Sequence, residues 1–186
     1  MKEEILLVVL KSLTVGILFA ACGAGSSATL LLHFPGNLDL RFAVPFALLS
    51  ALLFIRTRRA FFAVPLMIAV WAISSPSAYF VGMFTRMSLA PGLIGGFIGA
   101  LGLVLSVAIC YPSLFSVKYF ALGASIGTLC GALFEPWVKV YVATDFRMST
   151  NPNVALGQIP VTAFAVWQAA LGTYLYALCA YAKKKL

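Results

Sequence analysis

Apolar residues run through this chain in long blocks separated by short polar punctuation, and no block alternates apolar with polar as a half-buried strand does. Six blocks can be marked off. The first covers about residues 12–33 and is closed by the turn-forming Phe34-Pro35-Gly36-Asn37. The second, over about 40–55, is the shortest and runs into Arg56-Thr57-Arg58-Arg59. The third, about 60–84, carries Ser74-Ser75-Pro76-Ser77 near its middle, where Pro76 predicts a kink. The fourth, about 91–111, opens on Pro91, which suits a first helical turn, and stops before Pro112. The fifth covers about 117–134. The sixth, about 159–182, follows the longest polar connection, 142–158, and ends in Lys183-Lys184-Lys185. Residues 1–11 read as a short interfacial lead-in to the first block.

A helix needs about 20 residues to cross a bilayer, and most of these blocks have that length. Backbone polar groups must be satisfied internally in lipid, which leaves helices or closed barrels, and the absence of alternation removes the barrel. The expected fold class is therefore an all-α polytopic integral membrane protein, one domain over 1–186 forming a six-helix bundle. The second block, with 16 residues over 40–55, spans only if Arg41 and Arg56 snorkel.

Composition strengthens this picture. Of 186 residues 62% are hydrophobic and 10% charged, whereas a soluble domain needs about a quarter charged to keep its surface wet. The net charge of +8 would suggest nucleic acid in a soluble protein. Here the basic residues sit at block ends, where they set orientation, so no nucleic-acid partner is expected. With odd helices running outward, Arg56, Arg58, Arg59, Lys118 and Lys183–Lys185 fall inside. Arg41, Arg86, Lys139 and Arg147, balanced by Asp39, Glu135 and Asp145, fall outside. Six spans with both ends cytoplasmic satisfy the positive-inside rule. Glu3 and Glu4 spoil the basic start that a signal peptide requires.

Small residues recur at spacings of four. Ala20, Ala24 and Ala28 line one face of the first helix. Gly92, Gly96 and Ala100, beside Gly95, Gly99 and Gly102, line the fourth, and Gly123, Gly127 and Gly131 the fifth. Such rows let helix backbones approach closely in lipid. Packing inside the bundle is the plainer use, and contact with a homo-oligomer or partner subunit the other.

Most candidate chemistry falls away on inspection. Gly123-Ala124-Ser125-Ile126-Gly127 matches the serine-hydrolase elbow, but that motif needs a strand–turn–helix setting. The single histidine, His33, is placed at the outer end of the first helix and Ser125 about two turns in from the cytoplasmic end of the fifth, too far apart for a hydrogen bond. One histidine cannot build a bis-histidine haem or an H-E-x-x-H zinc site. Cys22, Cys110, Cys130 and Cys179 show no C-x-x-C spacing and read as small apolar residues. No metal, cofactor or enzymatic activity is expected. The interior lacks Asp and Glu for a proton relay, and Gln168 is its main polar group.

What remains is the outer rim. His33, Asp39, Arg41, Arg86, Glu135, Lys139, Asp145 and Arg147 converge there, under the 142–158 connection, either as a solvated membrane face or as a polar binding site for a small solute. Six helices, a small-residue face on the first and a polar outer rim are similar to the substrate-binding subunits of energy-coupling-factor importers, a resemblance of size and architecture that implies an outward-facing solute site. The sequence thus predicts a transport-type membrane subunit. The alternative is a non-catalytic subunit of a larger complex, packed through its small-residue faces. Its expected location is the bacterial inner (plasma) membrane, with a eukaryotic organelle membrane as the alternative because the terminal lysines also match a retrieval signal.

Overall fold

A computed structural model describes residues 2–28, 43–53, 55, 58–85, 89–135 and 161–183. All regular structure among them is helical. Six helices follow in order: α1 (Lys2–Ala28), α2 (Ala43–Leu53), α3 (Ala60–Thr85), α4 (Ala90–Cys110), α5 (Val117–Gly131) and α6 (Val161–Lys183). A 3-10 turn at Pro112–Leu114 joins α4 to α5, and another, Ala132–Phe134, extends α5.

Three helical stretches, Ala90–Cys110, Val117–Phe134 and Thr162–Lys183, are long and apolar enough to cross a membrane. The apolar stretches Leu10–Gly25, Ala43–Leu53 and Ala60–Ser74 are shorter. At 1.5 Å per residue, the 11 residues of α2 extend about 16 Å, roughly half a hydrocarbon core.

Local chemistry explains the helix limits. The expected lead-in over 1–11 is not a separate element: α1 is continuous from Lys2. No glycine or proline interrupts the chain before Gly16. Pro91 lies in the first turn of α4, where its missing N–H costs nothing. The helix ends at Cys110, with the Tyr111 amide donating to Val107 O (3.0 Å) before Pro112 starts the 3-10 turn. Helix α3 runs through Pro76 without a break in its assignment. Proline there leaves the Ala72 carbonyl without its usual donor. On either side, Ser74 Oγ donates to Trp71 O (3.3 Å) and Ser77 Oγ to Ile73 O (2.8 Å).

Each helix packs on its neighbours in sequence, and α6 closes the ring against α1 while also touching α2 and α4. From α3 through α6 and on to α1, adjacent helices run in opposite directions. Gly16 of α1 faces Thr173 of α6, whereas Gly23 faces Phe164, so the two run antiparallel. Gly92 and Gly96 of α4 face Gly131 and Gly127 of α5, and Gly102 faces Val70 of α3, giving the same relation for both pairs. Tyr174 Oη donates to Tyr119 O (2.6 Å) while Phe134 meets Phe164 with ring centroids 4.8 Å apart, which makes α5 and α6 antiparallel too. The start of α1 and the end of α6 therefore lie at one end of the bundle. Between the helices, Phe19, Phe46, Met67, Leu103, Val104, Val107, Leu171 and Leu175 are fully buried and form the core.

Candidate functional site

Glycine positions the two central helices. A Cβ at Gly96 would collide with the Gly127 carbonyl, one at Gly131 with the Gly92 carbonyl, and one at Gly127 with Gly96 O and the Ala100 methyl. Helices α4 and α5 approach so closely that backbone meets backbone. Gly99, on the other side of α4, leaves the space taken by the Trp167 ring, 3.3 Å from where its Cβ would stand, and Ser74 Oγ, at 3.7 Å. Gly123 does the same for Val104 and Tyr174. Gly95 is half-buried, as are Ala20 and Ala24 on α1; Ala28 ends that helix.

Because Gly99 has no side chain, the middle of the bundle can hold two indoles and an amide. Gln168 is fully buried and Trp167 nearly so. Around them runs a connected chain of rings. Phe19 meets Phe46 at 4.8 Å between centroids, Phe46 meets Trp167 at 6.3 Å, and Trp167 meets Trp71 edge-on at 5.0 Å. Trp71 then meets Phe164 at 5.9 Å, and Phe164 meets Phe134 edge-on. Offset and edge-to-face rings at such separations attract one another beyond their burial. The chain draws on α1, α2, α3, α6 and the turn after α5, so it ties together nearly the whole ring of helices. Ser74 and Gln168, each within three residues of one of its tryptophans, are buried polar side chains. Serine hydroxyls deeper in the bundle are spent on their own helices: Ser50 Oγ donates to Phe46 O and Ser106 Oγ to Gly102 O, both at 2.8 Å.

Of the rim residues expected from sequence, Glu135 alone is among the described residues; it is half-buried at the end of the 3-10 turn following α5. Asp39, Arg41, Arg86, Lys139, Asp145, Arg147 and His33 lie outside them. Glu135 and the Gln168 region lie toward the same end of the bundle, since Phe134 packs on Phe164, four residues before Gln168. The aromatic chain itself had one legible signal, the recurrence of Trp and Phe on apolar blocks, but which rings meet depends on the ring closure of α6 against α1.

Ser125 sits in the middle of α5 on its exposed side, its hydroxyl donating to Ala121 O (2.9 Å). Cys22, Cys110, Cys130 and Cys179 form no disulfide, and no group of three metal-capable side chains gathers among the described residues. Between α1 and α6 an apolar groove of about 510 Å³ opens on the outside of the bundle, with Gly16, Ala20, Ala165 and Ala169 among its lining residues.

No known family, curated protein or solved structure matches the chain.

Proposed function

We propose that the chain is a transport-type membrane subunit: six spans, both ends cytoplasmic, in a cell inner membrane, binding a small solute from the outer side. The observation carrying this reading is the wholly buried amide of Gln168 on α6, next in sequence to Trp167, whose ring packs on Trp71 and shares the space at Gly99 with Ser74. A polar side chain buried in a membrane bundle is expensive, which makes it a candidate for a functional site. An amide and a hydroxyl supply both donors and acceptors, and indole faces supply stacking surface. The solute enters past Glu135 and the rim residues Asp39, Arg41, Arg86, Lys139, Asp145 and Arg147, whose mixed charges sort it before it reaches the neutral interior.

Replacing Gln168 by Leu tests the assignment. Exchanging the buried amide for an apolar group of similar size removes its hydrogen-bonding capacity while keeping its volume. Native mass spectrometry of gently purified protein should find a small-molecule adduct on the wild type that is lost in Gln168→Leu, with thermal stability retained. Wild-type protein without an adduct, or an adduct equally retained by the variant, would sink the proposal.

A second reading, a non-catalytic subunit of a larger complex, draws support from the apolar α1–α6 groove. Its small residues would admit a partner helix. The same spectra decide between the readings, because a complex subunit would appear with protein partners and no solute.

A further inference from the structure

The antiparallel pairings place the basic residues in depth as well as in sequence. Gly16 of α1 faces Thr173 of α6. Five residues toward the start of α1 and five toward the end of α6, Lys11 therefore stands level with Leu178. Lys118 precedes Tyr119, whose ring lies 6.1 Å from that of Tyr181 and whose carbonyl accepts from Tyr174, so Lys118 stands at nearly the same height. Arg59 Nη1 donates to Ile109 O (3.2 Å), in the last turn of α4. The short turn Pro112–Leu114 ties that end of α4 to the start of α5, and hence to Lys118. Lys183 follows Tyr181 by two residues. Lys11, Arg59, Lys118 and Lys183 thus occupy a band about 8 Å deep, five residues of helix rise, and they belong to α1, the turn leading into α3, α5 and α6. All four are exposed, as is Arg58.

The band also has the aromatic and apolar setting of a membrane interface. Lys118 Nζ rests 4.8 Å from the Tyr119 ring centre, and Tyr181 is 40% exposed beside it. Phe61, Phe62, Phe115 and Val117 present exposed apolar surface within the same few turns. Tyrosine and lysine at one height, with apolar side chains next to them, match the headgroup layer of a bilayer. A cation in that layer attracts anionic lipid, and several on one level attract it jointly.

We infer that this basic collar is a binding surface for the headgroups of anionic phospholipids, so that the bundle's stability depends on the charge of the leaflet at that end. The inference rests on the membrane reading above and goes beyond it, since orientation alone requires no lipid to be bound. Charge complementarity singles out the occupant: a neutral zwitterionic surface satisfies the apolar side chains equally well but leaves the collar's charge uncompensated.

The experiment uses the full chain reconstituted into vesicles of phosphatidylcholine alone or mixed with phosphatidylglycerol. Thermal unfolding is followed by tryptophan fluorescence. The mixed vesicles should raise the midpoint by about 5 °C, high salt should cancel most of the rise, and soluble glycerophosphoglycerol should not reproduce it. The triple variant Lys11→Gln, Lys118→Gln, Lys183→Gln should match the wild type in phosphatidylcholine and lose the increment in the mixture. Equal midpoints in the two lipids, or an increment that survives in the triple variant, would overturn the inference. Failure of the membrane reading looks different, because the protein then would not float with vesicles of either composition.

Discussion

At the residue scale, glycine decides how close the helices come. Gly127 faces the Gly96 carbonyl and the Ala100 methyl with no room for a Cβ, whereas a Cβ at Gly25 on α1 would have open space around it. Two substitutions of the same residue type should therefore diverge. Gly127→Leu should lower stability by about 3 kcal/mol or more, because overpacking of a tight contact must push α4 and α5 apart. Gly25→Ala should be neutral or stabilise by up to about 1 kcal/mol, the ordinary gain from removing a helical glycine. Thermal unfolding in detergent reads both, and similar effects from the two changes would remove glycine contact as the explanation.

At the element scale, the helices were largely legible and their contacts were not. Blocks expected at 60–84 and 91–111 correspond to helices Ala60–Thr85 and Ala90–Cys110, because proline and polar residues bound those apolar runs and a helix has few other ways to end. Helix α1 extends back to Lys2, beyond the first apolar block, while its apolar stretch Leu10–Gly25 begins close to where that block was marked. The glycine rows advertised close approach without naming the partner helix. Likewise, Gln168 could be read as polar within an apolar block, but the rings that meet its neighbour Trp167, Phe46 and Trp71, come from helices distant in sequence. The rim residues other than Glu135 lie outside the described residues. One inter-element bond can be tested directly. Arg59 caps the carbonyl end of α4 from the start of α3, and Arg59→Ala should release that last turn at a cost of about 1 kcal/mol. Hydrogen exchange should quicken at residues 109–111 and stay unchanged at 96–100. Uniform acceleration would mean that Arg59 supports the whole bundle instead.

At the scale of the whole molecule, the six described helices pack in a closed ring, and α3, α4, α5, α6 and α1 alternate in direction around it. That alternation is what a polytopic chain with short connections requires, and it brings Lys11, Arg59, Lys118 and Lys183 to one end and Glu135 to the other. Three helices have the length and apolar character to cross a bilayer; six spans with the basic end cytoplasmic is the proposal built on them. Its most direct test is the sidedness of Lys118 and Glu135. In a background with the four native cysteines changed to alanine, Glu135→Cys should react with a membrane-impermeant maleimide in intact cells, and Lys118→Cys only after permeabilisation. Labelling of both positions from the same side would contradict the account.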